Sequence, residues 1–408
     1  MNRLIILGNG FDLSHGLKTT YSDFIKYFWS NVTSSNFDGG LVKLWSKEEI
    51  ALQACNSLSD LVAQINNLLQ LNRPTVSADS IVWMDYVTPV FKIEFSNVLF
   101  KYLVNAEEDI MWCDIEMIYY KLLRSICPKN VDNVTKEQEI KSIQAVNKLN
   151  SDIRQFSSLF SNYLKHKIEP SLLDDNMLLP DYDDIFSNPS LSNFEEQKAF
   201  MEEFSHEFFQ MLKEGKTSKV PIDSSSKIGR YNDTLILNFN YTTTANLYNH
   251  FAGRFYSEIK IHGSVSDSRN TVLLGFGDEK DKFYEVLENF NRNEYLEFMK
   301  SSHYAKNENY KRLFDFIESR PFQTQIIGHS CGLSDRTLLN SIFQHKNCMS
   351  IKTFYYQYKE GDEYNEEDNF SQIFRNISRH FSDKSRMRER IVNKDFCTPL
   401  PQSKLSWH

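Results

Sequence analysis

No uninterrupted apolar run approaches the roughly 18 residues of a membrane span, and near the N-terminus only Leu4 to Leu7 precede polar sequence. That argues against a spanning helix and against a signal-peptide core, so no membrane association and a cytoplasmic location are expected. The six cysteines, Cys55, Cys113, Cys127, Cys331, Cys348 and Cys397, contain no Cys-x-x-Cys pair. This speaks against a zinc knuckle or a disulfide frame and for reduced thiols, and no metal is expected. Positive charge is in deficit as well. A formal net charge of −8 disfavours a surface that grips nucleic acid throughout; the basic stretch with Arg386, Arg388, Arg390 and Lys394 is the local exception. Internal repeats and low-complexity runs are missing too.

What is present suffices for a large core. With 41% hydrophobic and 25% charged residues over 408 positions, the chain reads as globular, in two or three domains or one domain with a large insertion. Leu4-Ile5-Ile6-Leu7 suits a buried parallel strand and runs straight into Gly8-Asn9-Gly10-Phe11-Asp12. Glycine in such a loop permits positive φ and close approach of a ligand, and the amides that follow can hold an anion. The third glycine of the dinucleotide fingerprint is missing, so a plain strand-to-helix turn accounts for the same residues.

Thr20-Tyr21-Ser22-Asp23 predicts a helix N-cap. From there to about residue 215, apolar spacing of three and four predicts helices over 41–71, 81–106, 109–126, 136–168 and 193–212, without strands. The acidic segment 170–189 reads as a solvated loop, its spacing fitting no Ca²⁺ site. Beyond a polar linker at 213–232, strands are predicted at 234–239, 258–261, 272–274, 324–327 and 350–358, and helices at 243–251, 282–319, 334–344 and 369–381. Alternation of this kind implies a parallel sheet. The expected fold is α/β: a Rossmann-like sheet domain from residues 1–18 and 230–408, carrying a large all-helical insertion of residues 19–229.

Ligands of open parallel sheets sit outside the carboxyl ends of the strands. Those ends here carry Gly8-Asn9-Gly10, Asn240-Tyr241-Thr242, His262-Gly263, Gly275-Phe276-Gly277 and Gly328-His329-Ser330. Together they suggest a polar pocket for a nucleotide or sugar phosphate. His262 would take a proton from a ribose hydroxyl or an attacking water, or else serve structurally. Asn240 would orient a water or hold an amide-bearing ring, or cap its strand, while Asp12 would meet ribose hydroxyls or cap a helix. Glu116, within Trp112-Cys113-Asp114-Ile115-Glu116, would steady a cationic sugar transition state if its helix covers the pocket, and otherwise lies on a solvated face.

Leu7-Gly8-Asn9-Gly10-Phe11-Asp12-Leu13 with Ser14-His15-Gly16-Leu17, then Thr20-Tyr21 and Phe24, resembles the N-terminal signature of the AbiH family of bacterial phage abortive-infection proteins. Phe239-Asn240-Tyr241-Thr242, Ile261-His262-Gly263 and Ile327-Gly328-His329-Ser330 through Asp335 resemble its C-terminal motifs, and Trp112 to Glu116 a further one. The resemblance implies a role in defence. A more distant likeness, in the order Gly-x-Gly, Asn-Tyr, His-Gly and Gly-x-Ser, is to sirtuin-like NAD-binding proteins, and implies NAD as substrate. Thr242 departs from the usual Asp of that pattern, the loop sequence differs, and zinc-binding cysteines are missing, which argues against deacetylation but leaves NAD hydrolysis open. On this basis the catalytic candidates are His262, Asn240, Glu116 and Asp12. The nucleotide-binding candidates are Gly8, Asn9, Gly10, Phe11, Asp12, His15, Tyr241, Thr242, Gly263, Gly328, His329, Ser330 and Asp335.

Three other readings compete. Gly328-His329-Ser330-Cys331-Gly332 matches the nucleophile elbow of serine hydrolases, with Asp362 and His380 as triad partners. A non-catalytic nucleotide sensor in a defence complex would use the insertion as its contact surface, whether with a second copy or with another defence protein. A nucleic-acid-targeting effector would rest on the basic stretch after Arg386.

Overall fold

A computed structural model of the chain describes residues 1–33, 40–71, 74–77, 79–105, 113–128, 134–174, 179–189, 193–206, 208, 210, 231–251, 256–358 and 367–403. Among these, the strands are β1 (Asn2–Leu7), β2 (Val42–Ser46), β3 (Thr75–Val76), β4 (Ser80–Asp85), β5 (Thr88–Phe95), β6 (Thr234–Asn238), β7 (Tyr256–Lys260), β8 (Phe322–Ile327) and β9 (Cys348–Phe354). They form two sheets, a five-stranded one in the order β7-β6-β1-β8-β9 and a four-stranded one in the order β2-β5-β4-β3. Every pairing in the first is parallel and every pairing in the second antiparallel.

The parallel sheet is buried on both faces, with apolar runs in β1 and β6 and the hydrogen-bonded polar residues Gln323, Thr324 and Gln325 within β8. All described residues of β1, β6 and β8 are buried, as a sheet covered on both sides requires. Leu4 and Ile6 of β1 pack with Leu235, Leu237 and Ile326 against the helices Asn309–Ser319, Arg336–Phe343 and Phe370–His380. On the opposite face, Ile5 and Leu7 pack with Ile236, Ile327, Phe11, Tyr182, Phe186 and Tyr248. The buried Arg3 guanidinium fastens that layer, donating to the carbonyls of Ile185, Phe186 and Ser187 at 3.0, 2.6 and 2.9 Å.

The expectation of an all-helical insertion is corrected by β2 to β5. Phe91, Ile93 and Phe95 are buried while Lys92 and Glu94 alternate with them, a period of two that a short apolar window does not separate from helical spacing. A two-residue turn closes β4 onto β5, with Tyr86 at φ 54°. The helices that do form here are α1 (Asn9–Ser14), α2 (Tyr21–Val32), α3 (Leu58–Leu69), α4 (Val98–Asn105), α5 (Cys113–Ile126) and α6 (Lys136–Tyr163), the last continuing through a π-turn at Leu164–Ile168. The α2 cap is as expected: Thr20 and Asp23 form a reciprocal capping box. Tyr21 and Phe24 pack on Phe156 and Phe160 of α6.

Three further boundaries shift. The strand expected at 272–274 does not form: Leu273 N–H bonds to the His262 carbonyl at 2.9 Å and Gly275 N–H to the Glu116 carboxylate at 3.1 Å, so this backbone serves the site rather than a sheet. Residues 274–299 pack into the core of the insertion through Leu274, Phe276, Tyr295 and Met299. Conversely, Tyr182 and Phe186, expected in the insertion, cover the parallel sheet. The linker expected at 213–232 lies almost wholly outside the described residues. No described helix is long and apolar enough to cross a membrane.

Between β1 and β8 the crevice at the strand ends is closed by backbone. Gly10 N–H donates to the Gly328 carbonyl at 2.8 Å, and Gly8 N–H to Ile327 at 3.0 Å. A Cβ on Gly8 would stand 2.5 Å from His329 Cα, and one on Gly328, at φ +67°, 2.2 Å from Phe11 N. Both backbone clash and left-handed φ therefore require glycine at 328. The prediction is that Gly328→Ala loses on the order of 3 kcal/mol in urea unfolding; a variant as stable as the parent would show that the seam relaxes freely.

Candidate functional site

Two polar clusters converge at the carboxyl ends of the parallel strands. The first grows from α1 and the residues after β6. Asp12 is buried, and its carboxylate accepts from Asn240 Nδ2 at 3.1 Å and from Thr242 Oγ1 at 2.7 Å. Thr242 continues to Thr244 at 3.0 Å. Asn240 Nδ2 also donates to the Gly8 carbonyl at 3.0 Å, so both amide hydrogens are spent and its oxygen is left for a water or a ligand amide. Burial pushes Asp12 up to about 7, against the opposing hydrogen bonds from Thr242 and Thr244.

The second cluster is built around a lysine. Lys300, fully buried in the short helix Lys300–Tyr304, donates from Nζ to Glu116 Oε2 at 2.8 Å and to Asp335 Oδ1 at 2.7 Å. Glu116 comes from α5, and Asp335 from the turn after β8. His262 Nε2 stands 3.1 Å from Asp335 Oδ1, within ion-pair reach but without the alignment of a hydrogen bond. His329 Nε2 lies 3.8 Å from Asp335 Oδ2. The Phe239 ring meets both imidazoles edge-on, with centroids 4.9 Å from His262 and 4.3 Å from His329.

The charge states follow from this geometry. Burial works against Lys300, but the carboxylates of Asp335 and Glu116 hold its pKa above the usual lysine value. Burial likewise opposes ionisation of Asp335, and Lys300 and His262 overcome it, keeping the carboxyl well below its ordinary range. Glu116 is raised, first by burial and then by Asp335, with Lys300 opposing. Of the two carboxyl groups, Glu116 is therefore the one shifted toward its protonated form. Burial lowers His329 to about 4. Its Nδ1 accepts from Cys331 N–H at 3.0 Å, which places the proton of the neutral ring on Nε2.

Of the expected residues, the structure joins Asp12, Asn240 and Thr242 in the first cluster and Glu116, His262, His329 and Asp335 in the second. Others have different work. Gly8 and Gly10 form the seam against Gly328, and Phe11 N–H is taken by the Gly8 carbonyl at 2.8 Å, so these amides are bonded within the protein. Asn9 Oδ1 accepts from Thr19 at 2.6 Å. Phe11 and His15 sit in the aromatic layer under the sheet, with His15 stacked on Tyr182 and its Nε2 2.8 Å from the Tyr248 hydroxyl. Tyr241 donates to the Leu273 carbonyl at 3.0 Å, and Gly263, at φ +87°, turns the chain after His262.

Among the described residues no base is hydrogen-bonded to the Ser330 hydroxyl. His380 Nε2 is spent on the Cys331 carbonyl at 2.8 Å, and the Ser330 carbonyl accepts from Asn376 at 2.7 Å. Asp362 and Trp112 lie outside the described residues. Sequence reasoning missed Lys300, a single lysine in a helical block with no motif around it, and gave Phe239 no role beyond ending a strand and opening a family motif.

Removing the lysine leaves two buried carboxylates facing each other, so Lys300→Ala is predicted to cost about 3–5 kcal/mol in chemical denaturation; a loss under 1 kcal/mol would mean that the carboxylates are neutral. Asp12 gives a pH signature. Its folded pKa lies above the unfolded value, so folded protein binds the extra proton and stability falls as pH rises from about 4 to about 7. Asp12→Asn should lack this component, worth up to about 4 kcal/mol across the window; parallel pH-stability curves for the two proteins would contradict it.

The model of the family described as Bacteriophage abortive infection AbiH matches residues 4–357 of the chain. No curated protein matches it.

Proposed function

The chain belongs to the AbiH family of bacteriophage abortive-infection proteins, and from that premise we propose that it is a cytoplasmic effector that hydrolyses NAD or a related nucleotide at the N-glycosidic bond. The observation that carries this reading is the buried constellation of Glu116, Lys300, Asp335, His262 and His329 beyond the ends of β7 and β8. Burying several ionisable groups together costs more than an apolar core of the same volume, so such a cluster marks a functional centre.

Support also comes from topology. Numbered as the chain visits them, the parallel strands read 3-2-1-4-5 across the sheet, as in doubly wound dinucleotide-binding folds. In this reading the ligand lies beside the seam between β1 and β8, next to the α5 residue Glu116, with groups contributed by the turns after β6, β7 and β8.

In the proposed reaction the bond from ribose C1′ to the nicotinamide nitrogen breaks and its electron pair leaves with neutral nicotinamide. A water oxygen bonds to C1′, and its proton passes to His262. With Nε2 toward Asp335, Nδ1 is the nitrogen left for that role, and Asp335 stabilises the imidazolium. The Asn240 oxygen holds the water or the carboxamide, while Asp12 and Glu116 offer negative charge to the oxocarbenium-like ribose in their ionised forms, which burial disfavours.

Purified protein, alone and with lysate from phage-infected cells, is expected to release nicotinamide from NAD, and His262→Ala to slow release at least ~100-fold. Intact NAD under both conditions, or an unaltered rate in the variant, would remove the hydrolase reading.

A further inference from the structure

A cleft of about 760 Å³ opens between α6 with its π-turn and the loop that follows β7. It adjoins the buried cluster without belonging to it. Ile261 and Gly263, which flank His262, line it, as does Tyr304, one turn along the short helix from Lys300. Tyr304 is buried and its hydroxyl has no hydrogen-bond partner among the described residues.

The chemistry of the walls differs from that of the protein as a whole. The chain carries a net −8, yet the charged side chains around this cleft are Arg154, Lys165, Arg269 and Lys306 against the single carboxylate Asp267. Arg154 is committed to Glu297, and Arg269 lies 3.7 Å from Asp267. Both lysines line the cleft with no ion pair to a carboxylate among the described residues: Lys165 belongs to the π-turn, and Lys306 makes its described contact with His303 Nδ1 at 3.1 Å. Hydroxyl and amide groups such as Ser158, Asn162 and Thr271 complete the lining. A π-turn frequently marks a functional position in a helix. Here it sets Lys165 at the cleft.

We infer that this cleft binds the phosphates of a phosphorylated small molecule of nucleotide size, with Lys165 and Lys306 as its principal cationic contacts. With Arg154 and Arg269 paired to carboxylates, Lys165 and Lys306 leave an excess of positive charge in a concave site, which focuses an anion there. The volume falls in the range of small-ligand pockets rather than that of an extended nucleic-acid track. The inference rests on the proposed function only in treating this ligand as the one the neighbouring cluster acts on.

Titration calorimetry with ADP and with adenosine tests it on the full chain. ADP is expected to bind at least tenfold more tightly than adenosine, and the double variant Lys165→Ala/Lys306→Ala, whose exposed positions leave the core intact, to weaken ADP at least tenfold. Equal affinity for adenosine, no ADP binding, indifference of ADP to the double variant, or preference for a single-stranded oligonucleotide would each overturn it. ADP binding without nicotinamide release would keep the cleft and discard the hydrolase; release of nicotinamide without ADP binding would do the reverse.

Discussion

A protonated lysine held out of water between two carboxylates is the constraint on which the candidate site depends. Each buried ion forfeits several kcal/mol of hydration, so the ammonium of Lys300 must be met on more than one side by charge. Glu116 and Asp335 meet it from elements more than 200 residues apart in sequence. That contact ties α5 of the insertion to the turn after β8, and the Gly275 amide on Glu116 ties in the chain between them. The insertion is therefore fastened over the strand ends by electrostatics as well as by the apolar packing of Tyr120, stacked on Phe276 at 3.9 Å.

The glycine seam supplies the complementary constraint. Where Gly8 and Gly10 lie against Gly328 and His329, the sheet end has no room for side chains, so ligand space must lie beside the seam. His329 is pinned at the edge of that seam and turned toward Asp335, while Asn240 links the Gly8 carbonyl to Asp12. One end of the candidate site is thus closely packed backbone, and the other is the charge network of Glu116, Lys300 and Asp335.

Much of this was legible in the sequence, for identifiable reasons. β1 and β6 announce themselves because both faces are buried, leaving apolar runs bounded by glycine or asparagine, while β8 shows only Ile326-Ile327 before Gly328. Asp12, Asn240 and His262 stood out from their places after β1, β6 and β7, and Asp335 through the family resemblance. The antiparallel sheet could not, since its alternation is short and one-faced. Lys300 was invisible because a buried lysine looks in sequence like a solvated one, and only its two distant carboxylates distinguish it. The glycine loop was ambiguous between a ligand cradle and a packing turn, and the structure supplies the packing partner, Gly328, from more than 300 residues away.

The account holds that the ionic cluster is kept for chemistry and not for stability. Its most direct test replaces Glu116, Lys300 and Asp335 together by Leu, Met and Leu, and measures unfolding and plaque formation by a phage that the parent protein restricts. The account predicts a fold at least as stable as the parent, as apolar replacement of buried ion groups commonly gives, together with loss of protection. A folded triple variant that still protects its host in full would contradict it.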